Sequence, residues 1–202
     1  MNKQMKKLFL GAVLAALALP ALAQTSSDPA VTGQSIQQRK ENQQDRIGNG
    51  VQDGQLTAGE TANLEKKESE VNHEERDMRK LDDGHLTAAD KATVNQQQNQ
   101  LSRNIYQDKH NAAVQNTDPK SEVGKRAENQ QDRIAQGIKS GQLTAGETAH
   151  LEKNEAAVNR EVRNDRATNG GKLNPAEKAK VNRQDNRMSR QIYRDKHNGR
   201  KQ

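Results

Sequence analysis

The sequence predicts an all-α protein: two tandem three-helix modules, each held by a thin coiled-coil-like seam. Three observations carry that expectation. Apolar residues recur at helical spacing, four capping-box signatures open helices, and one long unit is written twice in tandem. No segment shows the period-two alternation of a strand.

The chain opens with an export signal. Lys3, Lys6 and Lys7 precede the apolar run Leu8–Leu19, Pro20 breaks it, and Ala21-Leu22-Ala23 is a small-x-small cleavage site. Residues 1–23 are therefore expected to be removed, leaving a periplasmic or secreted protein that begins at Gln24. The run is shorter than the roughly 20 apolar residues that span a bilayer, and no transmembrane segment is expected in the mature form. The chain contains no Cys, so disulfides, thiolate chemistry and a lipidated cysteine are all excluded.

A tail, residues 24–40, precedes the first copy of the unit, Glu41–Asn111. A linker, 112–127, leads to the second copy, Glu128–Asn198, at an offset of 87 residues, and 199–202 form a short tail. About 60% of the aligned positions are identical, which marks a duplication. Within each copy a shorter motif recurs. Gly54-Gln55-Leu56-Thr57-Ala58-Gly59-Glu60 is followed by Gly84-His85-Leu86-Thr87-Ala88-Ala89-Asp90; the second copy has Gly141 to Glu147 and Gly171 to Glu177. Thr57, Thr87, Thr144 and Asn174 are N-caps, and the acid three residues on completes each capping box. Pro175 suits a first helical position, and the upstream Gly suits a helix end. A shorter helix around Ile47 or Ile134 completes each module.

Downstream of each cap the apolar residues form narrow stripes. They are Leu64, Val71 and Met78; Val94, Leu101 and Ile105; Leu151, Val158 and Val162; Val181, Met188 and Ile192. Leu, Ile, Val and Phe make up only about 13% of the mature chain, a level at which partial disorder competes with folding. Tyr106 and Tyr193 are its aromatics once Phe9 leaves with the signal.

The capping motif also has the outline of a calcium loop. Asp53 and Glu60 occupy positions 5 and 12 of a twelve-residue count, and Asp83 and Asp90 take the same places in the next loop. Val51, Arg79 and Leu81 stand where further oxygen ligands belong, so a divalent cation meets too few donors; cation binding is the alternative reading. Ile105-Tyr106-Gln107-Asp108-Lys109-His110-Asn111 recurs as Ile192 to Asn198 with one change. Tyr106, Asp108 and His110, with Tyr193, Asp195 and His197, form a candidate polar site. The competing reading is a helix end, with Lys and His on the negative dipole and Asn as a left-handed cap. His73-Glu74-Glu75-Arg76-Asp77 lacks the second His of a zinc-protease motif, and Arg160 replaces His73 in the second copy. No nucleophile elbow, phosphate-binding loop or apolar pocket with paired carboxylates is present. The expectation is a protein that is not an enzyme and carries no cofactor.

The Gly-x-Leu-Thr-x-x-Glu motif resembles the L-T-x-x-Q motif of small periplasmic helical stress chaperones, with an acid in place of Gln. That resemblance implies a helical, ATP-independent holdase or a metal-stress adaptor. The whole unit, with its I-Y-x-D-K-H-N ending, also looks like exported bacterial tandem-repeat proteins of uncharacterised function, from which no activity carries over.

Charge separates the two copies. Removing three lysines with the signal leaves 30 basic and 27 acidic side chains. Residues 28–111 hold 11 basic and 15 acidic groups, whereas 118–202 hold 19 and 12. Arg183, Arg187, Arg190 and Arg194 lie at i, i+4, i+7 and i+11, on the helix face opposite Val181, Met188 and Ile192. Their first-copy equivalents are Gln96, Gln100, Arg103 and Gln107. A solvated outer face accounts for such a stripe; so does a binding face for a protein or an anionic surface, including the acidic copy of another molecule. No specific nucleic acid is implied. The functional expectation is an exported helical interaction protein, stress-protective and chaperone-like; a hydrophilin-like protectant is a further alternative.

Overall fold

The computed structural model describes residues 35–202, position 118 excepted. The segment expected to be an export signal, 1–23, and most of the N-terminal tail lie outside the described residues. Six helices occur in chain order among the described residues: α1 (Ile36–Gln52), α2 (Ala58–Leu81), α3 (Ala88–Lys109), α4 (Glu122–Lys139), α5 (Ala145–Thr168) and α6 (Pro175–Lys196). The protein is all-α, three helices to each copy, as the periodicity predicts. None of these helices is long and apolar enough to cross a membrane.

Helix starts follow the capping chemistry. Thr57 accepts from the Glu60 amide while the Glu60 carboxylate accepts the Thr57 N–H at 2.9 Å, and the same reciprocal box forms at Thr87–Asp90, Thr144–Glu147 and Asn174–Glu177. Ser35 and Gln38 make a fifth box in front of α1. Thus α1 and α4 begin at 36 and 122, several residues before the duplicated stretches at 41 and 128; part of the tail and part of the linker are helical. Gly54, Gly84, Gly141 and Gly171 take positive φ where the preceding helices end, a conformation open to glycine because it lacks a Cβ. Replacing Thr57 or Thr144 with Ala is expected to lower unfolding stability by about 0.5–2 kcal/mol per site, read by chemical denaturation.

Packing does not stop at the copy boundary. One apolar cluster takes Ile47, Val51, Leu56, Leu64, Leu101 and Ile105 from the first copy, and Ile134, Ala135, Ile138, Leu143, Leu151, Met188 and Ile192 from the second. The described helices accordingly form a single unit, with α2 packed mainly on α5 and α1 on α4. Equivalent residues face one another. A Cβ on Gly48 would lie 3.3 Å from the carbonyl of Ala135, its counterpart, and Lys139 Nζ donates to Oε1 of its counterpart Gln52 at 3.1 Å. Gly146, near the start of α5, lies against Ser69 midway along α2, while the first residues of α2 share a cavity wall with Asn159 and Arg160 in the second half of α5. The two long helices therefore run antiparallel, and the copies meet through the same surface, as in a symmetric homodimer.

Candidate functional site

The arginine stripe lies on the exposed side of α6, where Val181, Met188 and Ile192 turn inward. Arg187, Arg190 and Arg194 line a groove of about 710 Å³ together with Ser189, Gln191, Tyr193 and, from α4, Arg133. Arg133 is fixed there by donating through Nη2 to the Ser189 carbonyl at 3.1 Å. Arg183 belongs to the same stripe but not to the groove walls. Among the described residues none of these five guanidinium groups has a carboxylate within ion-pair distance. The first copy keeps the scaffold, with Arg46 donating to the Ser102 carbonyl at 3.2 Å. It lacks the charge: Gln100 and Gln107 replace two arginines, and Arg103 donates to Gln100 Oε1 at 2.6 Å. The second copy therefore presents a cluster of cations outside any ion pair that the first does not. Arg133 is absent from the sequence-derived set because it sits 50 or more residues before the stripe, and only the packing of α4 on α6 brings it in.

The polar residues at the helix ends have a different arrangement. Tyr106 stacks on His110 with ring centroids 4.1 Å apart, and Tyr193 on His197 at 4.3 Å. His110 Nδ1 lies 2.7 Å from the Tyr106 carbonyl oxygen, at the C-cap of α3. Asp108 does not join this pair; it lies beside Glu60 and Lys67 of α2, and burial followed by the nearby Glu60 raises its pKa. Asp195 is raised in the same way, by burial and then Glu147. Asn111 is not the left-handed cap expected of it, since Asp83 is the one non-glycine residue with positive φ among those described. Its amide instead donates to Glu60 Oε1 at 2.6 Å, and Asn198 does the same to Glu147 at 2.7 Å. Lys109 and Lys196 reach the carbonyls of Arg46 and Arg133. The two duplicated motifs are thus halves of one clasp, which ties the end of each third helix to the cap of the second and to the first.

Two carboxylates of the calcium-loop outline are already engaged, Glu60 in that clasp and Asp90 in the capping box of α3. Glu60 is shared between the Thr57 cap and Asn111, and Asp90 accepts from both the amide and the hydroxyl of Thr87. Asp53 is the C-cap of α1, and Asp83 takes the positive-φ position in the turn after α2. No group of three or more His, Cys, Asp or Glu residues is placed to hold a metal ion among the described residues.

A third feature has no counterpart in the sequence reading. Thr61, Glu65, Glu68 and Asn72 are buried on one face of α2, and Thr148, Glu152 and Glu155 on the equivalent face of α5. The four glutamates are at most 1% exposed, and none forms a salt bridge among the described residues. Gln44 Nε2 donates to Glu65 at 3.2 Å, and Gln131 Nε2 to Glu152 at 2.9 Å. Burial, reinforced by Glu68 and Glu152, raises Glu65 well above the carboxylate range. Burial likewise pushes Glu68 up to about 7 and Glu152 and Glu155 up to about 8. All four residues are identical between the copies at i, i+3 spacing. That retained pattern was the available signal, but acidic residues on a helix ordinarily mark its solvent side.

Compared with family models, curated proteins and solved structures, the chain matches none.

Proposed function

We propose that the protein is a non-enzymatic exported helical interaction protein, periplasmic or secreted, whose second copy presents a cationic groove to an anionic partner. One observation supports this reading above the rest: four arginines line one open groove with no carboxylate within ion-pair distance among the described residues, while the first copy has Gln at two of those positions. Arginine suits the role because its planar fork contacts carboxylate or phosphate through two N–H groups and stays charged at any relevant pH. Tyr193, 60% exposed between the arginines, adds a face on which a sugar or planar group can rest. A stress-protective, chaperone-like role is the finer form of the proposal, with the groove as the point of attachment.

Arg187→Gln/Arg194→Gln gives the second copy the first copy's residues, and Arg and Gln have similar helix propensity. On an anionic matrix such as phosphocellulose, the mature double variant is expected to elute at lower salt than the parent, with affinity reduced about tenfold, or 1.4 kcal/mol. Arg183→Gln, outside the groove, should have the smaller effect. Parent affinity should fall steeply with salt, as multiple charge contacts require. Co-elution of the double variant with the parent would reduce the stripe to a solvated face.

A further inference from the structure

Across the seam between the copies acid faces acid, Glu65 of α2 against Glu152 of α5, with Glu68 and Glu155 buried one turn further along the same helices. The charge difference between the acidic and basic copies does not hold it together, because both sides bring carboxyl groups to it. Glu65 meets Glu68 on its own helix, Gln44 from α1 and Glu152 from α5. Around Glu68 stand Lys40 from α1, with Asn72 and Glu75 from α2. Glu152 faces Gln131 from α4 and, on its own helix, Glu155; Glu155 faces Asn159 and, from α6, Asp185. Arg126 of α4 stands near Asp185. The second copy is the more acidic side: Ala127 replaces Lys40, and Asp185 replaces Gln98.

The unpaired atoms of the carboxyl and amide groups at this seam and directly behind it are all acceptors. They are Glu65 Oε1, Glu68 Oε2, Glu152 Oε1, both oxygens of Glu155 and Asp185 Oδ2, with the Oε1 atoms of Gln44 and Gln131 beside them. An ionised carboxylate there would be buried, unpaired and repelled by its neighbours; a protonated one is neutral and brings the O–H donor that the site lacks. Closure therefore requires protons.

We propose that the α2–α5 seam is a proton-held latch, closed while its glutamates are protonated and parted when they ionise in alkaline solution, with each copy keeping its own three helices. The α1–α4 contact, where Gly48 lies on Ala135 and Lys139 reaches Gln52, contains none of these carboxylates and serves as the hinge. The latch does not depend on the arginine groove.

Small-angle scattering and far-ultraviolet circular dichroism of the mature chain, from about pH 5 to about pH 9.5, test this. The radius of gyration should stay at about 16 Å in acid and rise by about a tenth or more in alkali, while the helical signal is largely kept. Glu65→Gln/Glu68→Gln/Glu152→Gln/Glu155→Gln should remove that rise. A second variant needs no change to the acids. Ser69→Cys/Gly146→Cys places two thiols across the seam, where a Cβ at 146 lies 3.3 Å from Ser69 Oγ. Its disulfide should abolish the expansion, and reduction should restore it. A constant radius across the range, helix loss in step with expansion, or an expansion that persists in the oxidised clamp would each overturn the latch.

Discussion

Raising the pH from about 5 to about 9 is expected to remove several kcal/mol of folding stability from the six-helix fold. Glu68, Glu152 and Glu155 ordinarily titrate at 4.5 and are pushed by burial to about 7, 8 and 8. Because the folded pKa lies above the unfolded one, the folded state holds protons that the unfolded state has released. The stability linked to these groups is fully present below about pH 4.5 and is lost as pH climbs through 7–8. Each contributes a slope of about 1.4 kcal/mol per pH unit inside that window. One such glutamate acting over about three units removes about 4 kcal/mol, enough to lower Tm by about 10 °C in a chain of this size. Thermal melts followed by circular dichroism across the range provide the measurement. A Tm that is flat or rises between pH 5 and pH 9 would show that these carboxyls are not buried as pictured.

Leu143→Ala is expected to be nearly as damaging, and Leu56→Ala equally so, at about 2–5 kcal/mol each. Both leucines sit in turns rather than helices, in the residue before an N-cap, yet both are fully buried. Leu143 donates its N–H to the Gly137 carbonyl at 3.0 Å and lays its side chain where a Cβ on Gly137 would be 2.6 Å away; Leu56 stands in the same relation to Gly50. Truncation leaves a cavity that the surrounding Ile and Leu side chains cannot close without moving whole helices. Urea unfolding of each variant gives the value, and a loss under about 1 kcal/mol would mean the turn simply collapses onto the vacancy.

Local chemistry was legible without coordinates. Thr57, Thr87, Thr144 and Asn174 cap helices because a hydroxyl or amide oxygen followed three residues later by an acid satisfies amides within four residues of chain, whatever lies beyond. The stripes of Leu64, Val94, Leu101, Leu151 and Ile192 turned inward because burial of apolar area follows helical period, although Met78 and Val158 at the fringes are only half-buried. The arginine stripe was likewise a matter of spacing along one helix.

What the tertiary structure decided are the relations between segments far apart in the chain. Arg133 joins the arginine groove, and Asn111 meets Glu60, only because α4 packs on α6 and α3 ends beside the start of α2. Above all, the chain's residue types place Glu65, Glu68, Glu152 and Glu155 at the surface, since an ionised carboxylate is costly to bury. Packing within each copy and between the copies reverses that placement. Glu65 and Glu152 meet where one copy packs on its twin and also accept from Gln44 and Gln131 of their own copies, while Glu68 and Glu155 face α1 and α6, and protonation is what makes that interior tolerable. The retained glutamate spacing marks the residues but not their burial, which arises from helices brought together from distant parts of the chain.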